Sequence, residues 1–62
     1  MRPRKEIGEM VMHPEFGNWV VLEVEDGIST LIKASKLYSQ EKILSDFWRV
    51  TDRYFNENFV SL

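Results

Sequence analysis

This sequence predicts a small α+β or mainly β domain. It would be an antiparallel meander, with strands near residues 8–13, 18–25 and 28–33, covered by a C-terminal helix near 40–55. Three features point to it. In Asn18–Glu25, NWVVLEVE, Val20, Leu22 and Val24 alternate with Val21, Glu23 and Glu25, the period of two that a half-buried strand requires. Asp26-Gly27 follows at once, a dipeptide that tolerates positive φ at both central positions of a type I′ hairpin turn. Further on, positions 43, 44, 47, 48, 54 and 55 are Ile, Leu, Phe, Trp, Tyr and Phe, with polar residues at 42, 45, 46, 49, 52, 53, 56 and 57, which is amphipathic helical spacing.

The first strand is the apolar-rich run Glu9–His13, EMVMH, which ends at Pro14 because proline has no N–H to give to a ladder. A two-residue turn at 26–27 sets Glu25 opposite Ile28, Glu23 opposite Thr30, Leu22 opposite Leu31 and Val21 opposite Ile32. Near Trp19 both faces of this pair are then apolar, so both must be sheltered, by closure into a barrel or by a helix. For the helix, Ser39 is a candidate N-cap with Glu41 in the first turn, and Asn56 or Asn58 a candidate stop after Arg49 and Arg53. Only Val50 breaks the helical pattern. The run Phe47-Trp48-Arg49-Val50-Thr51 is rich in strand-forming residues, so the alternative is an all-β five-stranded barrel closed by that run. The tail residues Phe59, Val60 and Leu62 are apolar enough to dock on the body.

Sixty-two residues make one domain, 1–62, with residues 1–6 expected as a flexible basic arm carrying Arg2, Arg4 and Lys5. The chain has no cysteine, so disulfides and thiolate metal sites play no part, and a reducing, cytoplasmic setting is expected. The longest apolar run is Trp19–Leu22, against the roughly 20 residues of a membrane span, and no apolar signal core follows MRPRKE. A net charge of −2 lacks the positive field of a dedicated nucleic-acid binder.

The segment MHPEFGNW concentrates the chain's one histidine with a proline, a glycine and a tryptophan. As chemistry it is poor: His-Pro-Glu offers a metal two ligands at best, and none of Ser29, Ser35, Ser39, Ser45 or Ser61 sits in a nucleophile-elbow context. The glycines at 8, 17 and 27 are too scattered for a phosphate loop. Catalysis, metals and cofactors are therefore not expected. His13, Pro14, Phe16 and Gly17 read as a structural corner. Pro14 stops the strand, Phe16 folds inward as a plug, Gly17 lets the backbone swing into the next strand, and His13 supplies a hydrogen bond.

Residues 7–27, IGEMVMHPEFGNWVVLEVEDG, with Gly8, Val11, His13, Pro14, Phe16, Gly17 and Val21 in order, resemble the opening of small Tudor or SH3-like barrels. Such barrels occur at the carboxyl ends of PcrA and UvrD-type helicases and in the RNA-polymerase-interacting domain of CarD-like regulators. Where those families commonly keep a second glycine two residues past Phe-Gly, this chain has Trp19. The resemblance covers the first half of the chain. It implies an SH3-like fold and a small non-catalytic adaptor in transcription or DNA repair, docking on RNA polymerase, a repair factor or another protein, and less often on nucleic acid.

Trp19 lies on the face opposite Val20 and Leu22 and is either core cover or an aromatic anchor for a partner. The candidate partner-binding set is Trp19, Glu15, Tyr38, Arg49 and Arg53, the two arginines lying four apart on the expected helix and either free or paired with Asp46 and Asp52. The alternative is a nucleic-acid-binding barrel in which Arg2, Arg4 and Lys5 meet phosphates while Trp19, Tyr38 or Phe16 stacks on bases. A homodimer burying leftover apolar sheet is a further expectation.

Overall fold

The computed structural model describes residues 5–62. Among them the chain runs β1 (Met10–His13), β2 (Gly17–Glu25), β3 (Ile28–Lys33), β4 (Phe47–Thr51), α1 (Asp52–Asn58) and β5 (Val60–Ser61), with 3-10 turns at Ala34–Lys36 and Leu44–Asp46. The five strands form one antiparallel sheet in the order β4-β3-β2-β1-β5. This is an α+β or mainly β domain, with the meander of β1, β2 and β3 where the alternation placed it.

The hairpin turn has positive φ at both central residues, Asp26 at 51° and Gly27 at 76°, as a type I′ turn needs. From it Glu25 pairs with Ile28 and Glu23 with Thr30, but then Val21 faces Leu31 and Val20 faces Ile32. The expected pairings of Leu22 with Leu31 and Val21 with Ile32 are corrected by a β-bulge at Leu22. Apolar side chains meet in either register, so the pattern alone does not choose. The bulge puts Trp19 and Val21 on the same face as Leu31 and adds the bend that a curved sheet requires.

Residues 40–55 are not one helix. Phe47–Thr51 forms β4, pairing with β3 from Thr51 opposite Ile28 to Phe47 opposite Ile32, and only then does α1 begin. The strand wins because it satisfies the open edge of β3 while turning Val50, the residue that spoiled the helical pattern, into the core at 5% exposure. Ile43 and Leu44, which the helical reading counted as core, are exposed. Thr51 is the true N-cap, its hydroxyl accepting the Tyr54 N–H at 3.2 Å. Ser39 accepts the Glu41 N–H at 3.1 Å, but within a loop. The five-strand count is that of the all-β alternative, with a seven-residue helix inserted before the last strand.

That helix measures about 10 Å end to end, whereas the edges of a flat five-stranded sheet lie about 19 Å apart. α1 leads from edge strand β4 to edge strand β5, and the sheet curls: His13 on β1 and Trp48 on β4, three strands apart in the order, bring their ring centroids within 5.3 Å. Inside the curl lie Val11, Trp19, Val21, Leu31, Val50, Phe55 and Phe59, with Trp48 and Tyr54 packed against them. Val20 and Ile32, paired with each other, are buried on the opposite face, so this end of the sheet is sheltered on both sides. The tail docks as β5, with Met12 opposite Val60 and the Leu62 N–H donating to Met10 at 3.3 Å.

Two ties fix the ends of this body. The Asp52 N–H donates to the Gly27 carbonyl at 3.0 Å, holding the hairpin tip to the start of α1. Lys5 Nζ lies 3.4 Å from Asp52 Oδ1, an ion pair without directed hydrogen-bond geometry. Lys5 lies against the body through this pair, and residues 1–4 of the expected basic arm, Arg2 and Arg4 among them, fall outside the described residues. No helix among the described residues is long and apolar enough to cross a membrane.

Ser29 is fully buried opposite Val24 and Val50, and its Oγ has no hydrogen-bond partner among the described residues. Dehydrating a hydroxyl without a partner is unfavourable. Ser29→Ala is therefore expected to stabilise the domain by about 1 kcal/mol, read as a higher urea midpoint. A lowered midpoint would mean that the hydroxyl is bonded after all.

Candidate functional site

The corner between β1 and β2 is built around His13, which is 5% exposed. Its Nδ1 accepts the backbone N–H of Glu15 at 3.0 Å and of Phe16 at 3.3 Å. A nitrogen that accepts two N–H bonds carries no proton, so the ring is the neutral tautomer and its Nε2–H donates to the Tyr54 hydroxyl at 3.0 Å. One side chain thus holds the turn after Pro14 and joins it to α1. Gly17, with φ at 81°, adopts the left-handed backbone that lets β2 begin.

Phe16 is not the inward plug that the sequence suggested. It is 57% exposed, because the turn held by His13 points it outward and the interior is already filled by His13, Trp19 and Trp48. Trp19 is core, 5% exposed, and its Nε1–H donates to the Phe16 carbonyl at 3.0 Å, so it braces the same turn from beneath. Trp48 sits centrally, its ring centroid 5.3 to 5.5 Å from those of His13, Phe16, Trp19, Tyr54 and Phe59. These separations lie in the range of favourable tilted and edge-to-face pairs.

An open groove of about 370 Å³ lies beside this cluster, lined by Phe16, Trp19, Lys33, Ser45, Phe47 and Trp48. Phe16 comes from the β1–β2 turn, Trp19 from β2, Lys33 from the end of β3, and the other three from the segment entering β4. Lys33 faces Trp19 across the β2–β3 ladder. Its Nζ is 4.0 Å from Asp46 Oδ1, and Asp46, only 2% exposed, spends Oδ2 on the Ile43 N–H at 2.9 Å. The loop ahead of Ser45 is apolar and exposed, with Leu44 at 92% and Ile43 at 63%. Among the described residues no three His, Cys, Asp or Glu side chains converge.

Of the residues singled out in the sequence, only Phe16 and Trp19 line this groove. Glu15 is exposed on the same turn, and Tyr38 is exposed on the β3–β4 loop. Arg49 and Arg53 do not share a helix. Arg49 is on β4 opposite Thr30, and Arg53 is on α1, 3.5 Å from Glu57. Asp46 and Asp52, considered as their partners, pair with Lys33 and Lys5. The sequence reading missed Lys33, Ser45, Phe47 and Trp48 as a site. The available signal was the strand-rich run at 47–51, which as a strand pairs with β3 and brings Phe47 and Trp48 to the end where Lys33 stands.

This small curled domain, with its aromatic groove, matches no known family model, no curated protein and no solved structure.

Proposed function

We propose that the chain is a non-catalytic protein-interaction module that seats a partner segment in the groove between Phe16 and Trp48. The observation that carries this is a large apolar side chain, Phe16, left 57% exposed at the rim of the groove on a turn fixed by hydrogen bonds to His13 and Trp19, with only part of its ring packed on His13 and Trp48. A folded chain gains nothing in stability from exposing it, and aromatic groups beside a preformed groove are typical anchors of interfaces. The resemblance of residues 7–27 to polymerase-interacting barrels makes a transcription or DNA-repair assembly, RNA polymerase first, the partner to try.

Because Phe16 is mostly exposed, Phe16→Ala should fold normally yet weaken binding to purified RNA polymerase or a repair factor by at least about tenfold, the scale of an interface anchor. Arg49→Ala, away from the groove, should bind as wild type. Equal binding by Phe16→Ala and wild type would overturn the assignment of the groove.

The rival reading, a nucleic-acid binder, draws on the same exposed aromatic and on Lys33, which could meet a base and a phosphate. A protein that neutralises phosphates loses affinity steeply with added salt. Single- and double-stranded oligonucleotides titrated at increasing salt test this directly.

A further inference from the structure

We infer that the occupant of the groove is a short peptide segment that combines an apolar side chain with a carboxylate, the carboxylate meeting Lys33. This rests on the docking role just proposed and adds the chemistry of the partner. Phe16, Phe47 and Trp48 offer apolar and aromatic surface, which takes up an aliphatic or aromatic residue. Among the described residues Lys33 is the one charged side chain in the lining.

Its pairing with Asp46 does not use up that charge. At 4.0 Å the two groups are beyond the 2.7–3.2 Å of a direct hydrogen bond, so the ammonium donors remain available. The pair is also lopsided: the Lys33 side chain is 45% exposed and the Asp46 side chain 3%, with one Asp46 oxygen held by the Ile43 N–H. An incoming ligand therefore meets the positive end first. A lysine or arginine side chain would approach like charge, whereas an aspartate or glutamate would gain a charge-assisted hydrogen bond. A nucleic-acid strand fits less well, since it calls for a track of cations along its backbone and this groove supplies one.

The test is selection of random peptides displayed on phage against the full chain, followed by affinities of one selected peptide for wild type and variants. Aspartate or glutamate should be enriched next to Leu, Ile, Phe or Trp. Lys33→Gln should weaken the selected peptide about tenfold, with no added loss when its acid is changed to the amide, and Lys33→Arg should restore binding. Lys33→Glu should shift selection toward lysine and arginine. Thermal melts of each variant separate loss of binding from loss of fold, and restoration by Lys33→Arg is the readout if Lys33→Gln proves unstable. Binders without acidic enrichment, or equal affinity for Lys33→Gln, would overturn the inference while leaving the docking role in place. No binders at all, or single-stranded oligonucleotide binding tighter than any peptide, would overturn both.

Discussion

Phe55→Ala is expected to remove about a third or more of the domain's stability. Phe55 is fully buried, stacks on Phe59 at a centroid distance of 5.3 Å, and is the one fully buried residue of α1. It holds the helix that bridges the two sheet edges. Cutting a buried phenylalanine to alanine costs about 3–5 kcal/mol. A chain of 62 residues has a total stability of roughly 3–9 kcal/mol. The loss is thus at least about a third of the total and, at the low end of that range, all of it. Urea unfolding followed by circular dichroism should show a lost or strongly lowered transition, and Phe55→Leu, which keeps most of the volume, should cost under about 1.5 kcal/mol. A shift below about 1 kcal/mol for Phe55→Ala would mean that the curl does not depend on this residue.

His13→Ala comes next, at about 2–4 kcal/mol. It strips the partner from the N–H groups of Glu15 and Phe16 and from the Tyr54 hydroxyl, and it opens a void among Phe16, Trp48 and Phe59. The informative comparison is His13→Asn. An asparagine carbonyl at this position can accept the N–H two residues on, as in an Asx turn, but it cannot reach Tyr54. Stability should therefore fall in the order wild type, His13→Asn, His13→Ala, measured as unfolding midpoints. If asparagine is no better than alanine, the turn does not rest on the Nδ1 acceptor.

The two halves of the chain were not equally legible. The segment from Asn18 to Lys33 could be read because alternation and Asp26-Gly27 are local signals that agree with each other. The bulge at Leu22 could not, because Val20, Val21 and Leu22 confront Leu31 and Ile32, and either register pairs apolar with apolar. Residues 47–55 satisfied a helical template because Phe47, Trp48, Tyr54 and Phe55 happen to recur at that spacing. What settled the matter was the vacant edge of β3, which is tertiary information. The groove went unseen for the same reason. It exists only where β4 brings Phe47 and Trp48 beside Lys33 and Phe16, residues that are 14 to 32 positions distant along the chain.

The bulge has a wider consequence. By inserting one unpaired residue, Leu22 lets β2 change which of its side chains look inward partway along: Val24 opposite Ser29 on one side of it, Val21 opposite Leu31 and Trp19 opposite Lys33 on the other. Deleting Leu22 would leave Trp19, Val21 and Val24 opposite the same partners in one unbroken alternation, so what the deletion removes is the bend and added twist of the bulge, not the inward set. The loop from Leu37 to Ile43 holds no such parity. The chain can therefore drift in length between β3 and β4 without touching the ladder, whereas losing the residue between Val21 and Glu23 straightens β2.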